Sequence, residues 1–151
     1  MAWHIVVDGA DVVASRMDNI NSNLKKRMEE AMAISVRDIQ ERARSTHRFT
    51  TRTGEAERSI EAEVTGSGTS LQGTVGTTRL ITIYLHQGTR PHNIEPRSKK
   101  VLRWTSGGKF VFAKRAHNPG IKKDPFIFNA ADAEADNIRA RFDAAMNDLD
   151  T

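Results

Sequence analysis

A long stripe of apolar residues in the first third of the chain constrains the fold more than any other feature. Apolar side chains recur there every three or four residues, at Val13, Met17, Ile20, Leu24, Met28, Met32, Val36, Ile39 and Ala43. This spacing places them on one face of an α-helix, and charges of both signs occupy the opposite face. We predict one helix from Asp11 to Ser45, about 50 Å long. A helix of this length can extend beyond the core of a small domain and leave one end for a partner.

Short segments typical of β-strands flank this helix. Residues 3–7 form one such segment, and residues 60–65 alternate apolar and polar side chains, as a half-buried strand does. A turn at residues 66–70 joins that strand to a returning strand at residues 71–76. Residues 80–87 are rich in β-branched and aromatic side chains, and we predict a further strand there.

A second hairpin and a last helix complete the predicted fold. The hairpin has strands at residues 101–105 and 109–114, with a turn at residues 106–108. We expect its buried face to carry Leu102, Trp104, Phe110 and Phe112. The helix begins near Pro125, a favoured first-turn residue, and its stripe comprises Ala131, Ile138, Phe142, Ala145 and Leu149. The predicted class is therefore α+β, with a long N-terminal and a C-terminal helix packed on an antiparallel sheet of about four to five strands.

The bulk properties favour one domain that contacts neighbouring subunits. Residues 1–151 are enough for a single domain with its own core. The hydrophobic share of 38% is low for an independent globule, which favours further burial between subunits. No cysteine is present, so disulfides, thiolate nucleophiles and cysteine zinc sites are excluded, and an intracellular origin is the simplest expectation. The sequence carries no pattern of a signal peptide or a membrane span, so we expect neither export nor membrane insertion.

Charge is distributed unevenly along the chain. From Arg79 to Lys123 there are eleven Lys and Arg residues and one acid, Glu95, whereas from Asp124 to Thr151 there are seven acids and two arginines. A basic middle beside an acidic end suits two arrangements. One is contact with a phosphate backbone, and the other is head-to-tail pairing of identical subunits.

The motifs of common enzymes and metal sites are absent from the sequence. There is no phosphate-binding loop and no Gly-x-Ser-x-Gly elbow. Histidines at positions 47, 86, 92 and 117 lack the helical spacing of a zinc enzyme and have few acids near them. A small basic nuclease could use His92 and His117 with Arg90 and Arg97, although scattered His and Arg residues on strands are common.

One run joins the predicted strand at residues 80–87 to a loop that two prolines stiffen. It reads Tyr84-Leu-His-Gln-Gly-Thr-Arg-Pro-His-Asn-Ile-Glu-Pro96, and about twenty residues later come Ala116-His-Asn-Pro-Gly120 and Pro125-Phe-Ile-Phe128. Proline excludes a helix after Gly88, and it fixes the shape of a loop at low entropic cost. We therefore expect the loops at residues 88–100 and 117–124 to make contacts with other subunits.

These residues, taken in order, resemble a known family. The matching segments follow a long first helix and are Arg52-Thr-Gly54, Arg58-Ser-Ile60, Tyr84-Leu-His-Gln-Gly-Thr89, Ile94-Glu-Pro96, the hairpin from Leu102 to Phe112, His117-Asn-Pro-Gly120 and Pro125-Phe126. With that helix, the resemblance covers roughly residues 15–145. The set is similar to the tail-completion or neck proteins of long-tailed bacteriophages. That family is typified by gene product ten of a lambda-like coliphage, a putative tail component, and is related to the minor tail protein Z group. Two departures from the family pattern are Glu55-Ala-Glu57 after the glycine and Asn118 between His117 and Pro119.

The resemblance implies a structural virion protein without enzymatic activity or cofactor. It would form a ring, expected to have six subunits, where the head connector meets the tail, around the channel through which genomic DNA passes. Its partners would be copies of itself, the head-completion or connector protein, and the tail terminator or tail-tube proteins. Its location would be the neck and tail of the virion, and the host cytoplasm during assembly.

The implied contacts fall on two sets of residues. Interfaces between subunits or rings are expected at Arg52, Gly54, Gly88, Thr89, Pro91, Ile94, Pro96, His117, Pro119, Gly120, Pro125 and Phe126. The cations expected to border the DNA channel are Arg90, Arg97, Lys99, Lys100, Lys114, Arg115, Lys122 and Lys123. The alternatives are a tail terminator or other minor tail protein, a basic nucleic-acid-binding module, and a small nuclease.

Overall fold

A computed structural model of the protein describes residues 3–7 and 22–147. In chain order its elements are β1 (Trp3–Val7), α1 (Ser22–Ser45), α2 (Glu55–Arg58), β2 (Glu61–Thr65), β3 (Gln72–Thr77), α3 (Leu80–Gln87), β4 (His92–Ile94), β5 (Leu102–Ser106), β6 (Lys109–Ala113), β7 (Ala116–Asn118) and α4 (Phe126–Asn147). The predicted α+β class is confirmed, with a long helix towards each end of the chain. None of the described helices combines the length and apolar character of a bilayer-spanning segment.

Helix α1 supplies one wall of the core. Its stripe is buried as predicted, and its fully or almost fully buried members are Leu24, Met28, Met32, Val36, Ile39 and Ala43. The helix ends at Ser45, which is the predicted end. The predicted start at Asp11, with the stripe residues Val13, Met17 and Ile20, lies outside the described residues.

A three-stranded antiparallel sheet in the order β1-β3-β2 packs on α1. The hairpin of β2 and β3 is confirmed, and a 3₁₀ turn at Gly68–Ser70 lies between its strands. Ala62 pairs with Val75, and Val64 lies two residues further along the same inner face towards the core. The other strands form two separate two-stranded sheets, β4 with β7 and β5 with β6, rather than joining one sheet of four or five strands.

Helix α4 runs antiparallel to α1 and closes the core. It begins at Phe126, directly after Pro125 as predicted, and buries Phe126 and Ile127. Polar contacts fix its orientation, because Arg42 of α1 pairs with Glu134. Two turns further on, Arg141 donates to Asp38 at 2.6 Å. The predicted stripe packs on the core through Ala131, Ile138, Phe142 and Ala145, whereas Leu149 lies outside the described residues.

The predicted strand at residues 80–87 is wrong, because this segment forms helix α3. Thr82, Ile83 and His86 are buried, which is the i, i+1, i+4 pattern of a helix face. The Thr82 hydroxyl lies 2.7 Å from that of Ser59, and this contact ties the helix to the end of α2. The β-propensity of the segment is a weak preference that tertiary packing overrides here.

The hairpin of β5 and β6 is confirmed, but its predicted buried face is wrong. Ser106 pairs with Lys109, so the turn has two residues, Gly107 and Gly108, both with positive φ (56° and 77°). A two-residue turn of this type fixes the register. It sets Trp104 opposite Val111 and Arg103 opposite Phe112, so the residues predicted to share a face are divided between the two faces. Three of those residues are solvent-exposed: Trp104, Phe110 and Phe112.

Candidate subunit interface

The two loops stiffened by proline and glycine pair with each other. Strands β4 and β7 are antiparallel, and beyond them the Thr89 and Ile121 backbones exchange hydrogen bonds of 2.9 and 3.2 Å. The Thr89 hydroxyl also accepts from the Ile121 N–H at 3.0 Å. We call this two-stranded structure, residues 89–94 with 116–121, the ribbon. The sequence motifs on either side of the β5–β6 hairpin are therefore one structural unit.

Two glycines allow the strands of the ribbon to approach closely at its base. Gly120 has φ of 83°, and a Cβ placed on it would lie 2.3 Å from the Thr89 carbonyl oxygen. Gly88 has φ of 78°, and its Cβ would lie 2.7 Å from the Ile121 carbonyl oxygen. Because backbone atoms occupy both places, a side chain fits at neither position. The glycines of the Gly88-Thr89 and Pro119-Gly120 motifs are thus needed for the same reason, the close approach of the two strands.

Asp124, three residues after the ribbon, forms hydrogen bonds with two other segments of the chain. Its N–H donates to the Leu85 carbonyl at 3.3 Å, and its carboxylate accepts from the Arg48 N–H at 2.6 Å. Asp124 is itself buried, so this acid of the C-terminal segment serves the fold and is not free to meet a neighbouring subunit. Glu134 is likewise buried and paired with Arg42. The exposed acids of the described C-terminal segment are Asp132, Asp136 and Asp143.

His86 is buried in an aromatic cluster. Its ring makes edge-to-face contacts with Phe126 and Phe128, with centroids 5.4 and 4.8 Å apart. Burial lowers the pKa of His86 from its ordinary value, and the charge of Lys123 lowers it further, against a smaller opposing effect of Asp124. The Tyr84-Leu-His-Gln motif therefore supplies a neutral core histidine and not an exposed interface residue.

A groove of about 630 Å³ separates the ribbon from the loop that precedes α2. Its apolar lining comprises Phe49, Ala56, Ile81, Leu85 and Ile121. Its polar and charged rim includes Arg52, Thr53, Glu55, Glu57 and Asn118. We call this concave surface the groove. It unites the Arg52-Thr-Gly54 motif with the end of the ribbon, although more than sixty residues separate them in sequence.

Contacts within the groove wall hold its acidic residues in place. Glu57 accepts a hydrogen bond from the Thr51 hydroxyl and lies 3.3 Å from His47 Nε2. Burial by itself would raise the pKa of Glu57, but the Thr51 hydroxyl, a backbone N–H and the charges of His47 and Arg58 outweigh burial and lower it. Glu57 is thus an anion at neutral pH, and the groove carries negative charge on one side.

The cations of the basic segment are exposed. All eleven of them, from Arg79 to Lys123, lie on the surface. Within the described part of the chain, ion pairs engage two of them, Arg79 with Glu55 and Arg115 with Glu95. Both pairs are more than half exposed, so they contribute little stability. The remaining charge is available to a partner.

The predicted interface residues fall into three places. Arg52 and Gly54 line the groove. The ribbon and the turns that flank it carry Gly88, Thr89, Pro91, Ile94, Pro96, His117, Pro119 and Gly120. Phe126 is only 1% exposed and belongs to the core, and Pro125 directly precedes it, so these two residues position α4 in the isolated subunit.

The eight cations expected near DNA lie on the ribbon or on the segments that connect it to the hairpin and to α4. Arg90 and Arg97 flank β4, whereas Lys114 and Arg115 separate β6 from β7. Lys99 and Lys100 precede the hairpin, and Lys122 and Lys123 lie between the ribbon and α4. They are therefore exposed but spread over several segments of this part of the chain.

The two histidines of the nuclease hypothesis do not meet. His117 lies opposite Asn93, with His117 Nδ1 3.2 Å from Asn93 Oδ1, so these side chains share a face of the ribbon. His92, the neighbour of Asn93, lies on the other face. Among the described residues, moreover, no three histidines or carboxylates come close enough to hold a metal ion.

Two exposed apolar surfaces were not predicted. One is the hairpin face with Phe110 and Phe112, and the other is the outer side of α3, with Leu80, Ile81 and Tyr84. The Gly107-Gly108 pair was the available signal for the first, because a two-residue turn determines which side chains share a face. Residues 80–87 contained no signal for the second surface, because their apolar side chains fall on both faces of a strand and on both sides of a helix.

Comparison with known proteins finds no matching family model, no matching curated protein and no matching solved structure.

Proposed function

We propose that this chain is a structural subunit of the head-to-tail neck of a long-tailed phage. In this proposal it forms a ring, of six subunits by the resemblance, that completes the tail and joins it to the head connector around the DNA channel. The observation that carries the proposal is the convergence of the motifs. The Arg52-Thr-Gly54, Gly88-Thr89 and His117-to-Gly120 segments, distant in sequence, lie around one groove and one ribbon.

The character of this surface supports assembly rather than catalysis. It combines a rigid ribbon, an apolar groove and exposed apolar side chains on α3 and on the hairpin. Exposed apolar groups on this scale are typical of surfaces that another protein covers. Proline and glycine fix the ribbon before binding, so its ordering costs little when a partner docks.

The exposed cations support a position beside DNA. They are distributed over the ribbon, the hairpin and the connecting segments. Such a distribution suits a channel wall, along which DNA must slide, because tight phosphate binding would hold the genome back. It also suits a nucleic-acid-binding module, which is the second candidate.

A pair of variants separates these two candidates. Lys99→Gln/Lys100→Gln removes two exposed cations of the basic segment, and Lys25→Gln/Lys26→Gln removes two exposed cations of α1 as a matched control. For a channel wall we expect weak filter binding of DNA that the first pair reduces and the control does not. Micromolar or tighter binding at physiological salt, with a steep loss as salt rises, would favour the nucleic-acid-binding module.

The neck assignment is tested by changing the ribbon without unfolding the subunit. Pro96 follows the first strand of the ribbon, and Pro119 lies in the second strand between β7 and Ile121; neither has an N–H to donate. In a phage that depends on this chain, Pro96→Ala/Pro119→Ala should strongly reduce the joining of heads to tails. The circular dichroism spectrum of the purified variant should remain that of a folded protein. Normal numbers of joined particles from the double variant would contradict the assignment.

A further inference from the structure

The β5–β6 hairpin presents an apolar face that the described parts of its own chain leave open. Phe110 and Phe112 are 64% and 60% exposed, and the register places them on one face with Thr105 and Arg103. The Arg103 guanidinium lies 4.8 Å from the centre of the Phe110 ring, so the cation frames this face and does not cover it. A phenylalanine gains about 1.5–3 kcal/mol when it is fully buried, and two of them forgo that gain in the isolated subunit.

The same chain carries a concave apolar surface of suitable size. The groove, about 630 Å³ in volume, lies in the range of sites that hold bulky apolar ligands. Ile81 belongs both to the lining of the groove and to the exposed side of α3, where Leu80 and Tyr84 extend the apolar surface. Two phenylalanines bury roughly 300–500 Å² between them, and the outer side of α3 adds to that area.

Charge decides which surfaces can meet. Residues 101–115 carry Arg103, Lys109, Lys114 and Arg115 and no acid, so two hairpins repel each other. The rim of the groove is mixed in sign, because its acids Glu55 and Glu57 lie near the cation Arg52 and Glu55 also pairs with Arg79. A basic hairpin therefore meets less repulsion at the groove than at a second hairpin.

From these observations we propose that the hairpin of one subunit docks Phe110 and Phe112 into the groove of a neighbouring copy of this chain. The partner is a second copy because every copy carries both complementary surfaces, and its described residues leave both of them open. A contact between two different surfaces is heterologous, so its repetition gives a ring when the rotation closes. The inference rests on the proposed function in one respect, the ring, and it specifies how neighbouring subunits hold each other.

Disulfide trapping tests the contact directly, because the chain has no cysteine of its own. Thr105→Cys places a thiol opposite Phe110 and keeps both phenylalanines, and Thr53→Cys places one on the rim of the groove. After the two variants are mixed and oxidised, we expect a 105–53 disulfide dimer. The control partner Glu41→Cys, on the exposed side of α1, should give none with Thr105→Cys. A dominant 105–105 dimer would overturn the inference.

Association provides the second measurement. Phe110→Ala/Phe112→Ala should weaken self-association at least about thirtyfold, because aromatic anchors at the centre of an interface dominate binding. Trp104→Ala removes an aromatic side chain from the opposite face of the hairpin and should leave association within about threefold of the original.

The outcomes separate this contact from the ring itself. If wild-type rings form and the double phenylalanine variant assembles equally well, the docking contact is wrong while the ring stands. If the wild-type chain stays monomeric at every concentration and salt, and no particle contains it as a ring, both proposals fail. Sedimentation velocity of the wild type, beside the two variants, distinguishes the cases.

Discussion

Gly120→Ala tests whether close packing at the base of the ribbon shapes this surface. The new methyl group would lie 2.3 Å from the Thr89 carbonyl oxygen, whereas ordinary contacts begin near 3.4 Å, so the strands must separate by about 1 Å. That movement lengthens the hydrogen bond from the Ile121 N–H to Thr89, now 3.2 Å, at a cost of about 1 kcal/mol. An alanine at φ of 83° costs about 1–2 kcal/mol more.

The sum predicts that Gly120→Ala lowers the free energy of unfolding by about 2–3 kcal/mol. Gly107→Ala is the matched control, because Gly107 also has positive φ but a Cβ there would meet nothing within 4 Å. It should cost only the conformational part, about 1–2 kcal/mol. Urea unfolding of both variants measures the difference, and limited proteolysis shows whether the ribbon opens before the core. Equal losses in the two variants would refute the close-packing argument.

Three further predictions concern pH and salt. Stability should fall as pH drops below 6.5, the ordinary pKa of histidine, because the unfolded chain then binds a proton that buried His86 resists; His86→Gln should lose this slope in urea unfolding between about pH 7.5 and about pH 5.5. A hydrogen bond from Asn137 and, against burial, the contact with Arg42 lower the pKa of Glu134. Stability present above its ordinary value of 4.5 should therefore disappear as pH falls through the lowered pKa, and Glu134→Gln should flatten that loss. Self-association should weaken as salt rises from about 0.05 to about 0.5 M, and sedimentation that is insensitive to salt would count against the electrostatic part of the contact.

The sequence was a good guide where one pattern had one structural meaning. The stripe from Leu24 to Ala43 has helical spacing and a charged opposite face, so helix α1 and its end at Ser45 could be predicted. Alternation at residues 60–65 and the glycine turn after it likewise predicted the β2–β3 hairpin. In both cases local preference and burial agreed.

The predictions were wrong where the same residues are compatible with two different structures. Five of the eight residues 80–87 are apolar or aromatic and they fall on both faces of a strand, so neither period is distinct. In the structure the segment is a helix, and the buried Thr82 hydroxyl contacts that of Ser59. In the second hairpin, Gly107 and Gly108 form the whole turn, and one residue of register moved Phe110 and Phe112 to the open face.

The candidate site was only partly predictable. Proline and glycine marked both loops as rigid, which is a local property, but the pairing of Thr89 with Ile121 is a contact across more than thirty residues. The groove depends on three segments meeting, and the sequence gives no distance between them. The charge of the basic residues predicted that they are exposed. No pattern in the sequence predicted that Asp124 and Glu134 would be buried and bonded within the fold.

Electron microscopy of particles assembled without this chain tests the central claim most directly. In a phage whose genome encodes the chain, we predict that deleting its gene leaves DNA-filled heads and separate tails. Supplying the wild-type chain in trans should restore joined particles, with density for a ring between connector and tail. Intact, joined and infectious virions in the complete absence of the chain would contradict the account.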